Sequence, residues 1–238
     1  DKDVVIKVVV PVPIQKTGNI QHGMKNWPHN SGDDIAGIVH SVGKDVYEFK
    51  PGDRVAGLHT FLTENGSFAV YFVSPDWTTF HFPYNVSFEE AATIPVSALT
   101  AALALYANMK LPAPYDAVEP AQSDKKKVSI LIYGVTSAVG AFAAKYARLS
   151  RLSPIIGVAG RASDFAQTLV EYVVDYRNGK DAIVAAVEDV LPKEGLGNKV
   201  PYVFDAISEN GSLETTLRII EQNGGTNFQH CSATYSLC

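Results

Sequence analysis

The sequence predicts an α/β protein with a β-rich first half and a doubly wound parallel sheet in the second half. From Val4 to about Ala121, short β-branched runs are separated by Gly and Pro turns. From Val128 onward, strands and helical segments alternate at a spacing typical of βαβ units. The 238 residues are 46% hydrophobic and 19% charged, which is enough for a sizeable core. We expect one domain over residues 1–121 and another over residues 122–238.

The first half contains three predicted strands and a turn that leads into a fourth. The strands are Val4–Val10, Ile35–Val42 and Gly66–Val73, which are rich in β-branched or aromatic residues. The turn is Lys50-Pro51-Gly52-Asp53-Arg54-Val55, because Pro presets the first turn dihedral and Gly tolerates positive φ.

Helical signals follow these strands. Ser87 precedes Glu90 by three residues, the pattern of a capping box, so we expect a helix to start there. We expect it to break near Pro95 and a second helix to cover the Ala- and Leu-rich stretch Ala98–Ala107. The proline-rich stretch Leu111–Lys127 is predicted to connect the two halves.

The second half predicts a regular alternation of elements. The predicted strands are Val128–Tyr133, Pro154–Ala159, Tyr172–Asp175, Tyr202–Asp205 and Asn227–Ser232. The predicted helices are Ala138–Leu149, Phe165–Val170, Asp181–Val190 and Leu213–Glu221. This order favours a parallel sheet with helices on its faces.

Composition excludes several classes of partner. The net charge of -5 argues against sequence-independent binding of nucleic acid, and the one basic run, Lys125–Lys127, is typical of a solvated loop end. The two cysteines, Cys231 and Cys238, form neither a disulfide framework nor a four-thiolate zinc site, which indicates a reducing, cytoplasmic setting. The sequence contains no long apolar run, and Asp1–Asp3 lack a signal-peptide pattern. We therefore expect no membrane partner.

One strand–turn–helix segment carries the main functional signal. A predicted strand ends at Tyr133, Gly134 and Gly140 bracket a tight turn, and a helix rich in small residues follows. Exposed amides at such a helix start can hold a phosphate, as in dinucleotide-binding domains. Ser137 stands where the usual close-approach glycine would fall, so an ordinary connection is the alternative reading. The context on both sides favours nucleotide binding.

A second signal concerns the kind of dinucleotide. About twenty residues beyond the last glycine, NAD sites place an acidic residue on the ribose, whereas a 2′-phosphate requires a cation. Here the segment Val158–Ser163 contains Arg161, which can pair with a phosphate, and Ser163, which adds a hydroxyl donor. We therefore expect NADPH; the alternative is that Arg161 is a solvated surface cation.

The turn Gly134–Gly140 and several other segments together resemble a known family over most of the chain, from about Gly32 to Gly225. The further segments are Gly32-Asp33-Asp34-Ile35-Ala36-Gly37-Ile38-Val39, Phe49-Lys50-Pro51-Gly52-Asp53-Arg54-Val55, Gly66-Ser67-Phe68-Ala69-Val70-Tyr71, Ser87-Phe88-Glu89-Glu90-Ala91-Ala92-Thr93-Ile94-Pro95, Val174-Asp175-Tyr176-Arg177 and Val203-Phe204-Asp205-Ala206. In this order they resemble zinc-independent medium-chain dehydrogenases/reductases, and in particular the group of quinone-oxidoreductase-like and fungal trans-acting enoyl reductases.

The resemblance implies a GroES-like catalytic domain combined with a Rossmann domain that binds NADPH. It implies that the pyrophosphate meets Thr136, Ser137, Ala138 and Val139 between Gly134 and Gly140, and that the adenosine phosphate meets Gly160, Arg161 and Ser163. It also implies that Tyr176 binds the 2′-phosphate and that Thr100 lies near the nicotinamide carboxamide. The alternatives are a strand-end aromatic for Tyr176 and a backbone-bonded helix hydroxyl for Thr100.

The same resemblance implies chemistry without a metal. Zinc-containing relatives have Gly-His-Glu where this chain has Gly32-Asp33-Asp34, and its six histidines show no tight ligand spacing. The implied reaction is hydride transfer to a small-molecule quinone, enal or enoyl thioester. No catalytic residue stands out in the sequence.

Two departures from the family pattern are the reason to keep an alternative function. The family's Asn-Pro-x-Asp segment is not matched at Val10–Thr17, and the chain stops after Cys238, before the family's sixth strand and the segment that completes its catalytic domain. We expect both domains to be incomplete, so the alternative is a catalytically incompetent NADPH-binding module or partner subunit. Family members often form homodimers along the Rossmann sheet edge, an expectation weakened here by the irregular Asn227–Ser232 segment.

Overall fold

A computed structural model describes residues 2–12, 32–60, 63, 65–115, 127–196, 199–223 and 229–232. The chain forms two compact units, Asp1–Leu99 and Thr100–Cys238. The predicted boundary after residue 121, most of the predicted connector and the C-terminal residues 233–238 lie outside the described residues. So do residues 13–17 of the unmatched N-terminal segment.

The first unit is built on a five-stranded antiparallel sheet with the strand order β4-β1-β2-β3-β5. The strands are β1 (Asp3–Val12), β2 (Asp34–Val42), β3 (Arg54–Leu58), β4 (Tyr71–Pro75) and β5 (Thr79–His81). Strands β1 and β2 confirm the predictions, and β5 was not predicted. In β1 the side chains alternate between the core, where Val4 and Ile6 are fully buried, and more exposed positions.

Strand β4 begins five residues later than its sequence predicts. Residues 66–70 form bends instead, and the Ser67 amide donates a hydrogen bond to the Gly32 carbonyl oxygen at 2.8 Å. This contact is made across more than thirty positions of sequence and overrides the local β propensity. The turn before β3 is as predicted, with Gly52 at φ +95° and the Asp53 amide donating to the Lys50 carbonyl oxygen.

Two helices follow the sheet. Helix α1 (Phe88–Ala92) starts at the predicted capping box, in which the Ser87 hydroxyl accepts from the Glu90 amide at 3.1 Å and the Glu90 carboxylate accepts from the Ser87 amide at 2.8 Å. Helix α2 (Pro95–Ala102) continues into a π-helical stretch, Leu103–Asn108. The sequence predicts a break near Pro95, and Pro95 is the first residue of α2. Proline is tolerated there because an amide hydrogen at the first helical position has no partner within the helix.

The second unit is a five-stranded parallel sheet with alternating helices. Its elements are β6 (Ile130–Tyr133), α3 (Ala138–Leu149), β7 (Ile155–Ala159), α4 (Ser163–Leu169), β8 (Tyr172–Asp175), α5 (Lys180–Lys193), β9 (Tyr202–Asp205), α6 (Ser212–Asn223) and β10 (Gln229–Ser232). The strand order is β10-β9-β6-β7-β8, and all paired strands are parallel. This confirms the predicted doubly wound sheet.

The parallel sheet has a hydrophobic core on each face. Ile130 and Ile132 of β6 belong to one buried cluster, with Ala143 of α3, whereas Leu131 of β6 belongs to the other, with Val187 of α5. Successive residues of one strand therefore pack into the hydrophobic cores on opposite faces of the sheet, which explains why the strand is apolar throughout. Among the described residues, no helix is long and apolar enough to cross a membrane.

Candidate dinucleotide site

The turn between β6 and α3 depends on two glycines. Gly134 has φ +76°, a conformation that side chains disfavour. At Gly140, a Cβ atom would lie 2.2 Å from the Gly134 carbonyl oxygen, so any larger residue would collide with backbone. The Ser137 amide donates to that same oxygen at 2.9 Å. The turn is therefore closed tightly on itself, as the sequence predicts.

Backbone hydrogen bonds fix the turn to the neighbouring strand. The amides of Gly134 and Val135 both donate to the Val158 carbonyl oxygen in β7, at 2.9 and 3.1 Å. The Val135 side chain is fully buried. The turn therefore has a defined position at the carboxyl edge of the sheet, where ligands of open α/β sheets bind.

The start of α3 presents donors to solvent. Ser137 is the N-cap, and its hydroxyl oxygen accepts from the Gly140 amide at 3.0 Å. Among the described residues, no acceptor is found for the amides of Thr136, Ala138 and Val139. Free amides and the positive end of the helix dipole together attract an anion. The Ser137 hydroxyl can still donate its own proton.

Gly160 and Tyr176 lie in contact at the ends of β7 and β8. A Cβ atom at Gly160 would lie 2.5 Å from Cε1 of Tyr176 and 3.1 Å from its hydroxyl oxygen. The Tyr176 side chain is nevertheless 49% exposed, so one face of the ring packs on the glycine while part of it remains available. The structure thus brings together two of the residues that were predicted for the adenosine phosphate.

Arg161 and Ser163 follow directly on this contact. Arg161 is exposed and forms no ion pair with any described residue. Ser163 is the first residue of α4, and its hydroxyl donates to the Asp164 carboxylate at 3.4 Å. The guanidinium of Arg161 is therefore a cation without a paired carboxylate in the described part of the chain.

Arg177, one residue beyond Tyr176, is in the opposite situation. Its side chain donates to both carboxylate oxygens of Asp175, with Nε at 2.9 and 3.0 Å, and its amide donates to the same group. Hydrogen bonds from the Arg177 side chain and amide lower the pKa of Asp175 to about 2. The charge of Arg177 is therefore already neutralised, and Arg161 is the cation that can meet a phosphate here.

Asp205 is a residue of this edge that sequence reasoning did not identify as part of the site. It ends β9, its side chain is fully buried, and its carboxylate accepts from the Ile207 and Ser208 amides and from the Ser212 hydroxyl, at 3.0, 2.9 and 2.7 Å. These bonds hold the loop after β9 so that Ile207 packs against Gly134, where a Cβ would lie 2.4 Å from Ile207 Cγ1. In the sequence, the feature that could have identified Asp205 is an acidic residue at the end of a buried strand.

Thr100 belongs to a different element from the other predicted residues. It is in α2, and its side chain is buried with 2% exposure. Its predicted contact with a nicotinamide carboxamide stays a prediction.

The residues that replace the zinc-ligand pattern are engaged in other contacts. Asp34 accepts from the Val96 amide at 2.7 Å near the start of α2, and burial raises its pKa to about 7. The Asp33 carboxylate lies 3.6 Å from Nδ1 of the buried His59. Over the part of the chain that the structure describes, no group of three or more His, Cys, Asp or Glu side chains could hold a metal ion. His22 and His29 lie outside that part.

Comparisons with known proteins agree with this architecture. Residues 1–84 match the alcohol dehydrogenase GroES-like domain. The chain is 41% identical over 201 residues to the trans-enoyl reductase fsr4 of Gibberella fujikuroi, covering 82% of this chain and 57% of that protein. It is 35% identical over 188 residues to the trans-enoyl reductase resD of Aspergillus sclerotiorum, covering 74% and 52%. The chain thus spans about half the length of the curated relatives it matches.

A solved structure extends the match to both units. The quinone oxidoreductase of Pseudomonas syringae pv. tomato DC3000 superposes with a TM-score of 0.67 at 22% identity, covering 99% of this chain and 74% of that one. At this identity the likeness concerns the fold, which combines a GroES-like domain and a Rossmann domain as the sequence predicts. Together with the matched domain and the relatives, these findings show that the chain belongs to the medium-chain dehydrogenase/reductase superfamily.

Proposed function

We propose that this chain is an NADPH-dependent, zinc-independent oxidoreductase that transfers hydride to a quinone or to an activated enoyl double bond. The observation that carries the proposal is the turn from Gly134 to Gly140, with three amides at the start of α3 that have no acceptor among the described residues. The relatives support the acceptor class, since two of them are named trans-enoyl reductases and a structural neighbour is a quinone oxidoreductase.

The residues present fit a dinucleotide. A Cβ at Gly140 would collide with the backbone of the closed turn, and the amides next to it are donors without an acceptor in the part of the chain that the structure describes. The proposed cofactor-binding residues are Thr100, Gly134, Thr136, Ser137, Ala138, Val139, Gly140, Gly160, Arg161, Ser163 and Tyr176. The ten residues from Gly134 to Tyr176 lie at or next to the carboxyl edge of the parallel sheet.

The preference for NADPH is proposed from charge. Arg161 has no ionic partner among the described residues and is adjacent in sequence to Gly160, which contacts Tyr176. A guanidinium can donate two parallel hydrogen bonds to a phosphate, and a tyrosine hydroxyl can add a third. NADH lacks the 2′-phosphate that would use these donors, so its binding gains nothing from them.

When bound, the nicotinamide supplies the hydride. The amides at the start of α3 and the guanidinium of Arg161 would hold the phosphates. These contacts would fix the cofactor in one position at the sheet edge. Zinc independence is proposed from the residues at the family's ligand position, because Asp34 is used by the Val96 amide and Asp33 lies beside His59.

The remaining features of the proposal follow from composition. Two cysteines in 238 residues suit a reducing compartment, and we propose a cytoplasmic location. The proposed partners are small-molecule acceptors, namely a quinone, an enal or an enoyl thioester, and neither nucleic acid nor a membrane. A homodimer along the edge strand β10 stays a prediction.

Calorimetric titration of the full chain with NADPH and NADH tests the cofactor, and NADPH oxidation with a panel of quinones, enals and enoyl thioesters tests the reaction. We expect tighter binding of NADPH and turnover with at least one acceptor. Tight NADPH binding without any turnover would select the alternative, a catalytically incompetent module or partner subunit, because positioning of the reacting atoms is a separate requirement from binding. Absence of NADPH binding would exclude both.

A further inference from the structure

The first unit carries a surface groove of about 560 Å³ that the proposed reductase function does not use. Two exposed aromatic side chains line it, Trp77 with 75% and Tyr47 with 88% exposure. The other lining residues are charged, namely Lys2, Asp45, Glu48 and Asp76. A tryptophan this exposed is unusual on a soluble domain, since burial of its large ring is favourable.

Trp77 is displayed by a rigid turn. It lies in a single 3₁₀ turn, Asp76–Thr78, between β4 and β5. The Trp77 amide donates to the Asp76 carboxylate at 2.8 Å, and the Thr78 hydroxyl donates to the Leu58 carbonyl oxygen of β3, also at 2.8 Å. The Thr78 bond therefore fixes the turn to β3, and the Asp76 bond stabilises the turn internally.

Tyr47 is displayed in a similar way from another loop. Val46 and Phe49, on either side of the pair Tyr47 and Glu48, are buried in the core of the antiparallel sheet with 7% and 5% exposure. The Val46 amide also donates to the Gly43 carbonyl oxygen. Buried anchors on both sides hold the intervening side chains toward solvent.

The start of β1 joins the two loops. The Lys2 carbonyl oxygen accepts from the Asp76 amide, and the Asp3 carbonyl oxygen accepts from the Gly43 amide, both at 2.9 Å. The two aromatic side chains are thus presented by loops that are tied to the same strand end. A surface organised in this way loses little conformational entropy when it binds a partner.

We propose that this groove binds an arginine or lysine side chain from a basic segment of a partner protein. Exposed, rigidly held Trp and Tyr are the residue types that dominate protein–protein binding energy. Cations bind favourably over the faces of such rings, and Trp is the strongest of them. The groove is lined by three carboxylates and one ammonium group. Its net negative charge therefore attracts a basic segment and repels an acidic one.

Calorimetric titration with acetylated tetra-arginine amide tests the proposal, with tetra-glutamate amide as the opposite charge. We expect saturable binding of the arginine peptide at low salt and none of the glutamate peptide. Trp77→Ala is expected to weaken binding about tenfold, and Trp77→Phe less, because it retains an aromatic face. Glu48→Gln is expected to weaken binding and to reduce its salt dependence. Both positions are exposed, so circular dichroism should show the same fold.

The matched control is Tyr115→Ala, which removes a tyrosine of 78% exposure outside the groove. Equal binding of the arginine peptide to wild type and to Trp77→Ala would overturn the proposal, since it would indicate attraction to the net negative charge of the whole chain. No binding by wild type would overturn it as well. Sedimentation in which Trp77→Ala converts a dimer to a monomer would identify a second copy as the occupant and would also reject a basic partner segment.

Discussion

The ring of Tyr176 lies directly against Gly160, with Cε1 2.5 Å from the position that a Cβ at residue 160 would take. The contact joins the ends of β7 and β8, two strands that neighbour each other in the sheet. Arg161, which is exposed, follows Gly160 directly in the chain. The proposed preference for NADPH depends on this contact.

Gly160→Ala is expected to weaken NADPH binding about fivefold, because the added methyl group must displace the tyrosine ring. NADH binding should change much less, since NADH has no 2′-phosphate for the hydroxyl to meet. Calorimetric titration of both cofactors checks this. Tyr176→Phe is the companion variant, and an unchanged NADPH affinity in both variants would show that the contact plays no part in cofactor choice.

Arg161→Ala is expected to weaken NADPH binding by about ten- to thirtyfold, the typical contribution of a charge-assisted hydrogen bond to phosphate. NADH affinity should stay within about twofold. Arg177→Ala is the matched control, because that guanidinium is already paired with Asp175. Equal losses for the two cofactors, or a larger loss for the Arg177 variant, would contradict the assignment.

Gly140→Ala is expected to abolish binding of NADPH and NADH alike. The new Cβ would lie 2.2 Å from the Gly134 carbonyl oxygen, so the turn must open and the free amides must move. Chemical denaturation should also show a loss of about 2 kcal/mol, typical of overpacking against backbone. Leu149→Ala, at an exposed position of the same helix, controls for a general effect on α3.

Asp205→Ala is expected to destabilise the second unit by about 3 kcal/mol, because the Ile207 and Ser208 amides lose their buried acceptor. The loop after β9 should then release Ile207 from Gly134, and affinity for both cofactors should fall. Asp205→Asn retains one acceptor oxygen and should lie between wild type and the alanine variant. Denaturant unfolding and calorimetry on the three proteins measure both effects.

The stability of the protein should fall as pH rises from about 4 to above 7, through Asp34. Its pKa is raised from 3.8 to about 7 by burial, so over this range the folded chain keeps a proton that the unfolded chain has lost. The contribution is fully present below the unfolded pKa, is lost as pH approaches the folded pKa, and amounts to at most about 4 kcal/mol.

Asp34→Asn keeps an acceptor oxygen for the Val96 amide without the charge. We expect it to be more stable than wild type at pH 8.5 and nearly equal at pH 4, as measured by denaturant unfolding. Asp189→Asn, at an exposed helix position, serves as the control. Identical pH profiles for wild type and Asp34→Asn would contradict the prediction.

The local signals in the sequence were sufficient for most of the fold. The Ser87–Glu90 capping box and the Gly134–Gly140 turn depend on residues only a few positions apart, so their chemistry can be interpreted directly. The periodic strands and helices of the second half were predicted for the same reason. The strand–turn–helix order also indicated the sheet edge at which we propose the cofactor site.

Features that depend on distant residues could not be predicted in this way. The Asp34 carboxylate meets an amide 62 positions away, and the bends at residues 66–70 are fixed by Gly32. The role of Asp205 in the site depends on the contact of Ile207 with Gly134, which lies more than seventy positions earlier in the chain. Such contacts follow from tertiary packing, for which neither local propensity nor hydrophobic periodicity carries a signal.

The pairing of Arg177 with Asp175 has an evolutionary consequence. Among the described residues, this pairing leaves Arg161 as the exposed, unpaired arginine at this edge of the sheet. On our proposal, the cofactor preference therefore responds to a change at one surface codon, while the sheet, the turn and the core stay as they are.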